Sequence, residues 1–546
     1  MINNNGVVLD KKKITFYESL EEKHREDIKE IAAYKLDGNI YNLKDKIPND
    51  GKIEIVKFDT DAGMKIYINT LQFIFIKCAL DMFPNARITL QHSFSKSIYG
   101  EIYNEYDINE EDLKNIKLKM IELIKKDVPI NIISVSKEEA IKIFENYNML
   151  DKINLLKYSN INEVRLYELE GQYDYFCGKI AASTGVIKAF DVEKYLSGFI
   201  LRRPDISDLN TIPKLKNQKS LNSIFIETER WLSILGIGEV GELNRKIDAG
   251  ELQDIIMVSE ALHEKKIANI ADRIYDKKDI KIILIAGPSS SGKTTFANRL
   301  SIQLRVNGMI PIPLSLDNYF VNRIDTPKDE NGEYDYENID ALDLKLLNYD
   351  LEQLMSGNEV ELPIYNFKTG EKEWNGYKEQ LPENGVLILE GIHGLNPKLI
   401  WDNLNKNVFK IYISALTQLN IDDHNRISTT DSRIVRRIVR DSLSRGYGAE
   451  ETLKMWPAIK RGEKKNIFVY QEEADVIFNS TLVYELGVLK PFALEELSKV
   501  PKESPVYSEA LRLITFLSFF KEINTNDVPK NSLLREFIGG SCFYEY

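Results

Sequence analysis

The sequence is poor in cysteine and contains no long apolar run. Its 546 residues include three cysteines, at positions 78, 177 and 542, too few and too scattered for a disulfide framework or a paired zinc motif. No stretch reaches the ~18 to 20 apolar residues that span a bilayer. The N-terminus also lacks a basic segment followed by an apolar core. We therefore expect a soluble, cytoplasmic protein without a membrane contact.

Excess positive charge is also absent. The formal net charge of -12 argues against an electrostatic grip on nucleic acid over the whole surface, although it is compatible with a local basic patch. The composition, with 43% hydrophobic and 29% charged residues, is that of an ordinary globular protein. The length exceeds what one hydrophobic core supports, so it predicts two or more domains.

Changes of pattern along the chain predict five segments. A short mixed segment is followed by an α+β pattern, a more polar connector, a region in which helices alternate with short apolar strands, and a tail that ends in aromatic residues and resembles a docking segment. The predicted boundaries are 1–62, 63–205, 206–255, 256–500 and 501–546. The strands of the fourth segment are "IKIILIAG", "IPIPLSLD", "GVLILEG", "NVFKIYIS" and "EADVIFNS". Buried apolar strands between helices predict an α/β domain whose parallel sheet is covered on both faces.

The first of these strands runs into a phosphate-binding motif. A tight loop of small residues lets backbone N–H groups converge on phosphate oxygens, and the following helix directs its positive dipole end at them. In this spacing Lys293 reaches the terminal phosphates and the Thr294 hydroxyl binds magnesium. The alternative is a chance Gly/Ser turn before a helix. The predicted nucleotide-binding residues are Gly287, Pro288, Ser289, Ser290, Ser291, Gly292, Lys293, Thr294 and Thr295.

Two further strands end in carboxylates. Asp317 follows "PLSL" and Glu390 ends "GVLIL". Ligands of such sheets bind at the carboxyl ends of the strands, so Asp317 is placed to accept a proton from an attacking hydroxyl, and Glu390 to hold Mg²⁺ or its water shell. The alternative for Asp317 is a helix cap or a turn.

An arginine-rich helix is predicted in "DSRIVRRIVRDSLSRGYG". Arginines at helical spacing commonly only solvate one face. Beside a phosphate loop, they would instead close over the transferring phosphoryl group and neutralise its charge. We expect Arg440 and Arg445 to make these catalytic contacts and Arg437 to contact the substrate.

Six motifs in order resemble the uridine kinase/phosphoribulokinase family over residues 280–480: "GPSSSGKTT", "LSLDNYF", "YDYENIDALDL", "PIYNF", "LILEGIHGL" and "RRIVRDSLSRG". The resemblance implies a nucleoside-monophosphate-kinase-like fold, ATP and Mg²⁺ as cofactors, and phosphorylation of a sugar hydroxyl. It also implies that Asp317 is the base and Glu390 a metal-site acid. Near the acceptor it places Tyr319, Glu337 and Tyr365.

Three positions depart from the uridine kinase pattern. Glu337 replaces an aspartate, Gly370 stands where a base-contacting histidine follows the "P-x-Y" strand, and Tyr447 replaces the second arginine after the glycine. Specificity of this kind depends on paired polar groups. The motifs therefore predict phosphoryl transfer and leave the acceptor open between a nucleoside and another sugar-type molecule.

The N-terminal segments resemble the TGS domain and the second, editing domain of threonyl-tRNA synthetases. The likeness lies in "IEIVKFDTDAGMKIYINTLQFIFIKCALDMFPNARI" and "ASTGVIKAF". The resemblance implies a small β-grasp-like domain followed by an α+β editing-like domain. The four residues of the editing site are replaced by Asn69, Phe73, Phe176 and Ile180, so we predict neither zinc binding nor hydrolysis there. Recognition of an RNA end or small ligand, and a scaffold or dimerisation role, both remain open.

These features predict an ATP-dependent, uridine kinase-like phosphotransferase that acts on a hydroxyl of a small molecule. The rival hypothesis is a nucleotide-gated RNA-binding or regulatory protein without a small-molecule acceptor. A base for an acceptor hydroxyl and an arginine-rich helix favour the kinase. Homo-oligomerisation and the contact of the C-terminal tail are left open by the sequence.

Overall fold

A computed structural model of the chain describes residues 15–18, 27–36, 38–46, 53–94, 96–159, 161–215, 219–329, 332, 334–417 and 419–544, without the side chains of residues 94 and 219–222. Part of the predicted 1–62 segment therefore lies outside the described residues. The described part forms a small antiparallel sheet in the order β2-β1-β3. Its strands are β1 (Ile31–Leu36), β2 (Asn39–Tyr41) and β3 (Ile53–Lys57).

An α+β arrangement follows, and its predicted helices are present. Helix α1 carries the apolar "INTLQFIFIKCALDM" run and ends before Pro84, while a capping box formed by Asn109 and Asp112 begins α2. Two antiparallel sheets have the orders β4-β5-β10-β9 and β6-β7-β8. The elements are α1 (Asp61–Met82), β4 (Arg87–Phe94), β5 (Ser97–Tyr103), α2 (Glu110–Lys126), β6 (Asn131–Ser136), α3 (Lys137–Asn146), α4 (Leu150–Tyr158), β7 (Glu163–Leu169), β8 (Gln172–Asp174), β9 (Asp191–Tyr195) and β10 (Gly198–Arg202).

The segment predicted as a connector carries two helices, α5 (Lys219–Leu235) and α6 (Val240–Asp248), before the long helix α7 (Leu252–Asp276). The apolar positions of α6 pack into the same core as α7, through Val240 and Leu243. The connector prediction rests on the polar start of this segment, "ISDLNTIPKLKNQKSLNS", and does not take account of the apolar residues in "IFIETERWLSIL", which follow within α5.

The five predicted strands of the α/β region form one parallel sheet in the order β12-β17-β11-β18-β21, which confirms the predicted fold class. The side chains of the central strand β11 (Ile282–Ala286) alternate between two hydrophobic cores. Ile283 and Ile285 pack into one core, and Ile282 and Leu284 pack into the other. Burial on both faces explains the continuous apolar strands. The strands are β11 (Ile282–Ala286), β12 (Ile310–Ser315), β17 (Gly385–Glu390), β18 (Val408–Ser414) and β21 (Val476–Asn479).

Helices cover this sheet and short hairpins extend from it. The helices are α8 (Lys293–Val306), α9 (Leu344–Met355), α10 (Thr429–Ser444), α11 (Ala449–Asn466), α12 (Glu485–Ser498), α13 (Tyr507–Ser518) and α14 (Arg535–Ile538). The hairpin strands are β13 (Val360–Glu361), β14 (Ile364–Asn366), β15 (Glu371–Glu373), β16 (Lys378–Glu379), β19 (Asn420–Asp422) and β20 (Asn425–Arg426). Within the described ranges, none of the helices has the length and apolar character needed to cross a bilayer.

The β19–β20 hairpin joins the α/β region to the N-terminal half. Arg87 of β4 donates two hydrogen bonds of 2.7 Å to the Asp423 carboxylate. Lys152 of α4 lies 2.9 Å from Asp422 and 3.0 Å from Asp174. The hairpin leads directly into α10, so these contacts connect the N-terminal half to the arginine-rich helix.

Candidate active site

The phosphate-binding loop lies between β11 and α8, as the motif predicts. Ser290 and Gly292 have positive φ angles of 59° and 85°, which turn the chain sharply. A Cβ atom on Gly287 would collide with the Ile413 carbonyl oxygen, and one on Gly292 would collide with Leu533. Both glycines of the motif are therefore required by close approach.

The three predicted acidic and hydroxyl groups come together at one edge of the sheet. Strand β17 lies between β11 and β12, and its Glu390 is in register with Ser315, two residues before Asp317. The Thr294 hydroxyl donates a hydrogen bond of 3.1 Å to Glu390 Oε1. Thr294 and Asp317 are both exposed, so their side chains face an open cleft and not the packed core.

Lys293 lies among these carboxylates. Its ammonium group donates to the Pro288 carbonyl at 3.2 Å. Surrounding protein raises the pKa of Glu390 to about 7, with Lys293 opposing this shift and Asp317 adding to it. The enclosing protein also raises the pKa of the cleft carboxyl Asp317, against the opposing charges of Lys293, Arg445 and Arg440. The site therefore holds two carboxylates, Glu390 and Asp317, and a cation in addition to Lys293 would stabilise their ionised forms.

Glu390 and Thr294 supply a pair of oxygen ligands suited to Mg²⁺, which prefers such donors and keeps several waters. The raised pKa of Glu390 fits this assignment, because a bound cation would stabilise the ionised carboxylate. The residues present therefore fit a magnesium ion.

Helix α10 holds the loop as well as facing the cleft. Arg433 donates to the Ser289 carbonyl at 3.0 Å, and Arg437 donates to the Ser289 hydroxyl at 2.7 Å. Arg440 is bonded to Asp441 at 2.7 Å, and Arg445 lies 3.7 Å from the same carboxylate. Of the predicted arginines, Arg437 thus contacts the loop, whereas Arg440 and Arg445 lie near enough to Asp317 for their charges to act on its carboxyl group.

The three predicted acceptor residues lie in different environments. Glu337 and Tyr365 each present a buried oxygen, Oε2 and the hydroxyl respectively, that has no hydrogen-bond partner among the described residues. Burial raises the pKa of Glu337 to about 7, with Glu463 adding to the shift and Arg437 opposing it. Tyr319 is buried in the core instead, where its hydroxyl donates to Asp350 at 3.1 Å.

Two departures from the uridine kinase pattern have a visible geometry. Gly370 has φ +78°, and a Cβ atom there would lie 2.7 to 2.9 Å from side-chain atoms of Arg323. A histidine at this position would require Arg323 to move. Tyr447 is about half exposed, and its backbone N–H donates to the Asp441 carbonyl at 3.2 Å.

In the N-terminal half, the four positions aligned with the editing residues converge. The Asn69 amide donates to the Lys179 carbonyl at 3.1 Å, and the rings of Phe73 and Phe176 meet edge to face at 5.4 Å. Phe73, Phe176 and Ile180 are all buried. Apolar packing fills the place where the synthetase pattern has polar groups.

The sequence profile of the "Phosphoribulokinase / Uridine kinase family" matches residues 282–485. A uridine kinase from Lactobacillus johnsonii is 31% identical over 177 residues, which cover 32% of this chain and 75% of that protein. The chain belongs to this family. Among solved structures, one described as that of a possible uridine kinase from Bacillus stearothermophilus is 20% identical, and the match covers 37% of this chain and 89% of that chain with a TM-score of 0.25.

The N-terminal region of this family member has homologues of another kind. A threonine–tRNA ligase from Caldanaerobacter subterraneus is 28% identical over 179 residues, which cover 33% of this chain. The chain spans 28% of the length of that ligase. The resemblance of the two halves to a P-loop kinase and to threonyl-tRNA ligases is therefore confirmed.

Sequence reasoning missed two carboxylates that contact the loop of this family domain. Glu463 of α11 accepts the Ser289 N–H at 2.9 Å and is paired with Arg433. Glu536 of α14 accepts the Thr295 N–H at 3.0 Å. Both belong to helices distant in sequence from the loop, and neither lies in a motif that could have identified it.

Proposed function

We propose that the chain uses ATP and Mg²⁺ to phosphorylate a hydroxyl of a nucleoside or sugar-type small molecule. The observation that carries this proposal is the meeting of Lys293, Thr294, Asp317 and Glu390 at the carboxyl ends of three adjacent strands. A protein that only senses nucleotide has no use for a base beside the phosphate loop. Asp317, exposed in the cleft, is suited to that role.

In the proposed mechanism, the loop N–H groups and Lys293 bind the phosphate oxygens of ATP. Thr294 and Glu390 would hold Mg²⁺, which when bound supplies positive charge beside the phosphates. Asp317 takes the proton of the acceptor hydroxyl. The oxygen of that hydroxyl forms a bond to the γ-phosphorus, and the bond between the γ-phosphorus and the oxygen that leaves with ADP breaks. Arg440 and Arg445 neutralise charge on the transferring group.

The acceptor is proposed to be rich in hydroxyl groups. Glu337 Oε2 and the Tyr365 hydroxyl are buried and have no hydrogen-bond partner in the part of the chain that the structure describes, and such groups are costly unless a ligand completes them. Gly370 offers no side chain to contact a base, and a side chain could be added there only if Arg323 moved. These features favour recognition of a sugar ring over recognition of a pyrimidine.

The test is a screen of nucleosides and of free and phosphorylated sugars with ATP and Mg²⁺, in which ADP release and product mass are measured. With the acceptor found, Lys293→Ala should abolish turnover, and Asp317→Asn should bind ATP but lose about 10²- to 10⁴-fold in rate. The exposed Lys265→Ala and Asp402→Asn are matched controls that should leave the rate unchanged. Normal turnover by Lys293→Ala would exclude the mechanism.

A second candidate function is nucleotide-gated RNA binding. The observation that favours it is the similarity of the N-terminal region to threonine–tRNA ligases. RNA that copurifies with the protein, together with RNA-stimulated ATP hydrolysis and no phosphorylated small molecule, would support this function over the first.

A further inference from the structure

The C-terminal segment packs against the phosphate-binding loop. Residues 532–544 lie beyond the family match, which ends at residue 485. Glu536 Oε2 accepts hydrogen bonds of 3.0 Å from both the N–H and the hydroxyl of Thr295. The Tyr544 hydroxyl lies 2.7 Å from the same Thr295 hydroxyl. Residues from outside the family domain thus bind the last residue of the phosphate motif.

Apolar contacts reinforce these hydrogen bonds. Leu533 packs directly on Gly292, where a Cβ atom would collide with it. The Phe537 ring lies 5.1 Å from the guanidinium carbon of Arg436, and Arg436 donates to the Ser290 carbonyl at 3.4 Å. The segment therefore contacts the loop at Gly292 and the first turn of α8 at Thr295, and it reaches Ser290 only through Arg436.

The packing indicates that the C-terminal segment stays in place against the phosphate-binding loop and does not detach from it. Leu533, Leu534 and Phe537 are at most 1% exposed and belong to the core that also contains β11 and α8. Detaching the segment would expose all three large apolar side chains to water, which is unfavourable. Thr295, which Glu536 contacts, is fully buried, whereas its neighbour Thr294 is exposed.

We propose that Glu536 is a positioning residue for phosphate binding. Its carboxylate fixes the first turn of α8 through the Thr295 N–H, an N–H that has no intrahelical partner, and a negative charge at this end suits the helix dipole. The loop N–H groups are thereby held in one orientation before nucleotide binds. The inference rests on the proposed function for the identity of its ligand, ATP.

The test compares the full-length chain with Glu536→Ala, Glu536→Gln and the exposed control Glu503→Ala. Hydrogen exchange of peptides over residues 287–296 is measured without nucleotide, and ATP affinity is measured by calorimetry with Mg²⁺. Glutamine keeps an oxygen that can accept both hydrogen bonds, whereas alanine removes it. We expect faster exchange and about tenfold or greater loss of ATP affinity for Glu536→Ala, near wild-type values for Glu536→Gln, and no change for the control.

Unchanged exchange in Glu536→Ala would overturn the inference. So would ATP affinity equal to or higher than wild type, since the carboxylate would then compete with phosphate. If the alanine variant does not fold, Glu536→Asp withdraws the carboxylate by one methylene, and faster exchange is again required. A wild-type chain that binds no ATP would refute the proposed function, whereas the exchange experiment would still decide the role of Glu536.

Discussion

Replacing Lys152 with methionine tests whether the N-terminal half stabilises the α/β region through buried charge. The Lys152 ammonium is 1% exposed and lies between Asp174 and Asp422, whose side chains are 0% exposed. Burial by itself lowers the pKa of Lys152, but the two aspartates raise it more, so the lysine is charged. His424 adds a contact of 2.7 Å to the second oxygen of Asp174.

Methionine keeps most of the volume and removes the charge. Removing one member of a buried ion pair typically costs about 3–5 kcal/mol, because the remaining charge is left uncompensated. Here Asp422 and Asp174 lose the cation that lies 2.9 and 3.0 Å from them, whereas Asp174 keeps its contact with His424, so we expect a loss within this range. We also expect lower turnover, because Asp422 lies in the hairpin that leads into α10.

Calorimetric unfolding at pH 7 measures the effect and resolves separate transitions if the chain unfolds in steps. Lys152→Met should move the affected transition down by about 6 °C or more, whereas the exposed Lys119→Met should move it by about 1 °C. Adding Asp422→Asn to the methionine variant should recover part of the loss, since one uncompensated charge is removed. A shift for Lys152→Met no larger than that of the control would refute the reasoning.

Two further predictions concern the site. Glu390 has a pKa raised to about 7 in the fold, so its stability contribution is present at low pH and is lost as pH rises from about 4.5 to about 7. Thermal unfolding of the wild type and of Glu390→Gln is compared from pH 4 to 8 without Mg²⁺. The variant should lack this loss of stability, and identical pH profiles of the two proteins would contradict the prediction. Gly370→Ala should cost more than the matched Gly357→Ala in urea unfolding. Both glycines have φ +78°, where an alanine costs about 1–2 kcal/mol of folding free energy. Only at Gly370 would the added Cβ atom also collide with Arg323, so equal losses of stability in the two variants would exclude that collision.

Much of the kinase-like site could be predicted because its signals are local. The spacing from Gly287 to Thr294, Asp317 in the turn just after β12 and Glu390 at the end of β17 lie within short stretches, and parallel strands bring their carboxyl ends to one edge. The positions aligned with editing residues could also be located from nearby motifs. Their convergence around Phe73 and Phe176 follows from the packing of α1 against the turn after β8.

The sequence by itself determined the succession of strands and helices along the α/β region, the position of the phosphate loop and the family to which the chain belongs. Each of these depends on the identity and spacing of neighbouring residues. Only the tertiary structure decided that Arg433 holds the loop, that Tyr319 is committed to the core, and that Glu463 and Glu536 bind loop N–H groups. These contacts join residues far apart in the chain. A charged side chain looks the same in sequence whether water or a buried partner surrounds it, and burial is set by the packing of the whole fold.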